Sequence, residues 1–211
     1  MSEKTATDWK VLRRAHEALW IAVAAVPAQA WDRSTPCDQW TVAQVLQHAV
    51  GDQLAYASAI TGTPGPTENP FAPSGMLGQE PLDLLEPALV AARSAWAGVA
   101  EGGQAPTPLP QGDLPAPVGA GACALDAAVH AWDIAVAIGQ PAFLPSELAE
   151  RLLAAAQAVV EPLRAYGAYA EALAPRPDDD GAAELLRYLG RNPRWSGARW
   201  GEPDDVSSTT R

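Results

Sequence analysis

Cysteine is scarce in this chain, and that scarcity is the first constraint. Two residues, Cys37 and Cys123, are too few for a disulfide framework, and no Cys-x-x-Cys pair offers a zinc ribbon or a redox couple. They read as small packing residues, so any thiol chemistry must be brought by another molecule. Basic side chains are few as well: 14 Lys and Arg stand against 25 Asp and Glu, a net charge of -11 with a sequence pI near 4.6. They are scattered between Lys4 and Arg211, so no basic stripe meets a phosphate backbone, and nucleic acid is not expected as a partner. Also missing is an uninterrupted apolar run of the roughly 18–20 residues that span a bilayer. No signal-peptide core follows Met1-Ser2-Glu3-Lys4. These absences predict a cytoplasmic protein with no membrane partner.

Apolar residues, by contrast, make up 48% of the 211 residues, ample for one core. The 20 Pro and 17 Gly gather in clusters between alanine- and leucine-rich segments, the pattern of helices separated by loops. A first helix is expected from about Asp8 to Val26, capped by Thr7 or Asp8, with Trp9, Leu12, Ala15, Leu19 and Val23 on one face. A second starts at Thr41, where Thr41-Val42-Ala43-Gln44 fits a capping box, and runs to about Thr61. After a loop from Gly62 to Gly78, a third spans about Pro81 to Val99. Pro106, Pro108, Pro110, Pro115 and Pro117 then argue against regular structure. A fourth helix is read from about Gly121 to Ile138. A fifth runs from Pro145 to about Leu173 with a kink at Pro162, and a short sixth from Ala182 to Leu189. No segment alternates as a strand does, and no internal repeat is visible. The expectation is an all-α chain: residues 1–200 form one antiparallel helical bundle domain with additional short helices, and 201–211 form a flexible tail.

Three histidines exist, so a histidine site can be searched exhaustively. His130 lies in Leu125-Asp126-Ala127-Ala128-Val129-His130-Ala131-Trp132-Asp133. At about 100° per residue, Asp126, His130 and Asp133 fall on one stripe of an otherwise apolar helix. Burying carboxylates uncompensated is costly, whereas a divalent cation turns carboxylate and imidazole into satisfied ligands. His48, on the second helix, is the candidate third ligand, because bundle cores assemble metal sites from facing helices. The plainer alternative is a helix-surface Asp–His hydrogen bond. His16, beside Glu17, reads as an exposed or structural residue. Asp52, one turn after His48, and Asp133 are candidates for orienting ligands, with ordinary salt bridges as the alternative. Trp40 and Trp132 read as packing anchors.

Three stretches carry a family resemblance. Thr35-Pro36-Cys37-Asp38-Gln39-Trp40-Thr41-Val42 leading to His48-Ala49-Val50-Gly51 is one. Val129-His130-Ala131-Trp132-Asp133-Ile134-Ala135 leading to Gly139 is the second, and Leu185-Leu186-Arg187-Tyr188-Leu189-Gly190-Arg191-Asn192-Pro193-Arg194-Trp195 the third. Together they resemble the mycothiol-dependent maleylpyruvate isomerase-like proteins, among the DinB-like metal-binding helical bundles. The resemblance implies a bundle of four main helices and a divalent metal on His48, Asp126 and His130. Asp126 stands where the isomerase type carries Glu, one methylene longer. Zinc is the expected metal, with nickel or iron as alternatives. Two imidazoles and one carboxylate leave an open position, the catalytic rather than the closed structural pattern. The implied function is activation of a small-molecule thiol, mycothiol, for transfer to, or isomerisation of, an electrophilic substrate. A non-catalytic metal- or ligand-binding module with a stress or regulatory role is the alternative. The oligomeric state is not legible in alanine-rich helices.

Overall fold

Helical periodicity in the sequence becomes a bundle because each apolar stripe finds a partner, and for three of the helices that partner includes the same central helix. The computed structural model describes residues 9–37 and 39–197. Helices α1 (Lys10–Ala24), α2 (Val42–Thr61), α3 (Pro81–Ala97) and α4 (Ala116–Ala137) form a four-helix unit. In it, α1 and α2 each pack against both α3 and α4. Helix α5 (Ser146–Arg164) covers the free side of α4, and α6 (Gly181–Tyr188) rests on α5. The all-α expectation holds, apart from a two-residue ribbon in which β1 (Gln104–Ala105) pairs antiparallel with β2 (Leu114–Pro115). Two residues are too few to alternate visibly.

Helix α4 is the axis of the structure. Alanines and glycines let its neighbours close in, and nearly its whole circumference is buried. By length and composition it is the one described helix that passes as a membrane span, but 94% of its most apolar stretch lies inside the bundle. At Gly121 an added Cβ would stand 2.7 Å from the Ala155 Cβ of α5, so only glycine admits this approach.

Several helix ends differ from the sequence reading. Helix α4 begins at Ala116, five residues before Gly121, because Pro117 sits in the first turn, where its missing N–H and fixed φ are tolerated. Helix α5 stops at Arg164 rather than Leu173; it passes Pro162 by two residues before Gly167 turns the chain at φ 75°. Helix α1 starts at Lys10 and has no side-chain cap at Trp9; Thr7, Asp8 and the 201–211 tail lie outside the described residues. The expected capping box at Thr41 is present, with Thr41 N–H donating to Gln44 Oε1 and Gln44 N–H to Thr41 Oγ1.

The loop from 62 to 78 is held down rather than free. On one face of α2, Gln44 Nε2 donates to the Pro73 carbonyl and Gln47 Nε2 to the Met76 carbonyl, while Gln47 Oε1 accepts from Gly75 N–H at 2.7 Å. Substituting Gly121→Val should overpack the α4–α5 contact and lower stability by about 1–3 kcal/mol, measured by urea unfolding, with little loss of helical circular dichroism.

Candidate metal centre

Helices α2 and α4 bring His48, Asp126 and His130 together in the bundle interior. One ligand-type atom from each lies within 4.8 Å of the others. Asp126 Oδ1 stands 3.2 Å from His48 Nε2 and 3.3 Å from His130 Nε2. The imidazoles are buried, at 7% and 6% exposure, and the Asp126 side chain is 11% exposed. The site is thus largely buried but not sealed.

Each imidazole is aimed by its other nitrogen. His48 Nδ1 donates to the Pro70 carbonyl at 2.9 Å, and His130 Nδ1 donates to Asp133 Oδ2 at 3.0 Å. A carbonyl and a carboxylate only accept, so in the neutral rings both Nε2 atoms carry lone pairs directed at Asp126. Three acceptors then face one point, and only a proton or a cation reconciles them. This donor set, two imidazole nitrogens and a carboxylate oxygen with oriented second nitrogens, fits a divalent metal.

Pro70 reaches His48 because Gly51 lacks a side chain: a Cβ there would lie 2.6 Å from Pro70 Cγ. The Trp40 ring lies over His48, centroids 4.5 Å apart, and Phe71 meets the same imidazole edge-on at 5.5 Å while remaining 66% exposed. Trp40 therefore packs a ligand-type ring, whereas Trp132 is part of the core. Cys123 is buried, and burial first, with Asp52 next, pushes its thiol pKa up, which leaves it inert.

Asp133 is fully buried and belongs to an ion pair. Arg191, on the segment after α6, grips it with Nε at 3.0 Å from Oδ1 and Nη2 at 2.9 Å from Oδ2. Burial opposes its charge, but Arg191 and His130 hold its carboxyl below the ordinary range. Asp52 is half-buried, and among the described residues no hydrogen bond joins it to His48. Burial, then Asp126, pushes its carboxyl well up against the pull of His130. His130 is driven down by burial yet raised to about 9 overall by Asp126 and Asp133. Of the exposed and structural readings of His16, the structural one fits: it is 1% accessible and donates from Nε2 to Gln53 Oε1 at 2.8 Å. Pro70, Phe71 and Gln53 were not singled out in the sequence, and Arg191, although within the third family-like stretch, was given no partner there.

A helical bundle with an inward-facing His, Asp, His group is thus the class that fold and site define. The model of the mycothiol maleylpyruvate isomerase N-terminal domain matches residues 12–135. The chain belongs to that family. Proteins from two strains of Mycobacterium tuberculosis, both titled uncharacterized, are each 35% identical over 193 residues, covering 86% of this chain and 96% of the relative. A crystal structure of a histidine-to-alanine mutant of the mycothiol-dependent maleylpyruvate isomerase aligns with TM-score 0.49 and 19% identity, over 69% of this chain and 65% of that one.

Two predictions follow from the buried charges. Arg191→Met strands the Asp133 carboxylate and should destabilise the fold by about 3–5 kcal/mol in denaturant titrations. The histidines give opposite pH slopes in metal-free protein. Burial lowers His16 to about 4 from its ordinary 6.5, so the unfolded chain holds the extra proton between those values and stability rises with pH there. His130 is raised from 6.5 to about 9, so the folded chain holds the extra proton and stability falls across that window. A pH series of melting temperatures in chelator should therefore peak near pH 6.5.

Proposed function

We propose that this chain holds a divalent metal, zinc first, on His48 Nε2, the Asp126 carboxylate and His130 Nε2, and uses it to activate a low-molecular-weight thiol against a small electrophile. The observation that carries this is the convergence of three acceptor atoms whose imidazole partners are already committed to Pro70 and Asp133. When bound, the metal supplies Lewis acidity that lowers the pKa of a thiol entering the open side. Mycothiol is the thiol this reading favours, since the family is named for it and the chain's own Cys123 is buried and protonated.

The protein's part is positional. Asp133, neutralised by Arg191, holds the His130 proton on Nδ1 without withdrawing it, and the Pro70 carbonyl does the same for His48. Trp40 and Phe71 flank the His48 ring and keep bulk water from that side. Phe71, largely exposed beside the ring, presents an apolar surface on which the carbon skeleton of an electrophile can rest.

Native mass spectrometry of protein purified without chelator should show one metal per chain. His48→Ala and His130→Ala should each abolish it while leaving most of the helical signal. Full metal occupancy in both variants would sink the site. Conversion of the electrophile, followed with metal and mycothiol present as conjugate formed with loss of free thiol or as isomer formed with the thiol returned, then separates two readings. Turnover by either route supports the enzyme, and stoichiometric metal with the electrophile unchanged supports a binding module.

A further inference from the structure

One buried polar cluster has no part in that reading. Gln53 of α2 is wholly buried, and every hydrogen-bonding arm of its amide is used. Its Oε1 accepts from His16 Nε2 at 2.8 Å and from Cys123 Sγ at 3.1 Å. Its Nε2 donates to the Cys123 carbonyl at 3.1 Å and, in a longer contact, to Asp126 Oδ2 at 3.5 Å. Because the Cys123 carbonyl can only accept, it fixes which end of the amide is nitrogen. That orientation turns a donor toward Asp126 and an acceptor toward His16.

His16 is neutral, its ring desolvated by burial against the opposing pull of Gln53. Its proton is therefore on Nε2, shared with Gln53, while Nδ1 meets no hydrogen-bond partner among the described residues. A buried imidazole and a buried amide are costly to keep unless their hydrogen bonds are used. We propose that His16 and Gln53 are positioning residues for Asp126: His16 locks the Gln53 amide, and the amide holds Oδ2 so that Oδ1 faces both imidazoles. The inference rests on the metal-ligand reading above.

The physical need is specific. The two oxygens of a carboxylate are equivalent until their surroundings distinguish them. Two imidazoles meet Oδ1, at 3.2 and 3.3 Å, and Gln53 is the hydrogen-bond donor recorded at Oδ2. With that donor removed, the group is free to turn about Cβ–Cγ and divide its oxygens between the rings. The ordering that Gln53 supplies in advance would then fall on metal binding.

Two variants separate positioning from mere packing. Gln53→Leu leaves the His16 N–H unsatisfied in the interior and should lower the melting temperature, whereas His16→Leu with Gln53→Leu removes both partners and should recover most of that loss. Zinc affinity by chelator competition should nevertheless fall about 10- to 100-fold in both, with a shift of the visible bands of the cobalt-substituted protein. Affinity that recovers with melting temperature in the double variant, or is unchanged in folded Gln53→Leu, overturns the proposal. In metal-free protein, the ring ¹⁵N shifts of His48 and His130 should move in both variants, and unmoved rings overturn it as well. A wild-type chain that binds neither zinc nor cobalt defeats the metal reading, and the ring shifts still decide whether the pair orients Asp126.

Discussion

Placing three polar side chains in the most buried helix of the protein is the constraint from which the rest follows. Asp126, His130 and Asp133 share one stripe of α4, where almost every other residue is alanine, glycine, valine, leucine or isoleucine. Such groups are tolerated only with partners, and the partners must arrive from elsewhere because α4 has no further polar residue to offer. The bundle satisfies that demand from several directions. Helix α2 brings His48 and Gln53, the segment after α6 brings Arg191, and α1 brings His16 through Gln53. The same arrangement that prevents stranded charge also leaves three acceptors around one point.

The charges are graded across that stripe. Asp133 is answered by a guanidinium in a two-pronged contact and takes the His130 N–H with its remaining capacity. Asp126 is answered by imidazoles and a long amide contact, without a permanent cation beside it. One carboxylate is therefore already neutralised by a guanidinium, while the other faces the imidazoles, where a proton or a cation would balance it. The family match ends at residue 135, yet Arg191, on the segment after α6, lies well beyond it and is joined to the His, Asp, His group through Asp133 and His130.

Local pattern carried much of this. The α2 start was legible from Thr41 and Gln44, and the α4 stripe from simple angular spacing. The misreadings have particular causes. Pro115 and Pro117 look like helix breakers until their places are known, Pro115 at the N-cap as the last residue of β2 and Pro117 in the first turn, and only the strand pairing fixes them there. His16 could be read as exposed or structural, and Glu17 beside it did not decide between them, because adjacent helical positions point about 100° apart. Gln53 left no local trace, and Arg191 showed only as part of a family-like stretch without a role, because their partners lie 73 and 58 residues away and neither residue type marks a site by itself. Pro70 acts through its backbone carbonyl, which no side-chain pattern encodes.

The loop over the site divides into two stretches with different freedom to change. From Pro70 to Met76 it is bound at nearly every step: Pro70 against Gly51 and His48, Pro73 to Gln44, and Gly75 and Met76 to Gln47. From Gly65 to Glu68, among the described residues, no hydrogen bond ties it to α2. Insertions or deletions accumulating among relatives of this chain therefore belong in the earlier stretch. A change of even one residue in the later stretch would carry the Pro70 carbonyl out of register with the imidazole it aims.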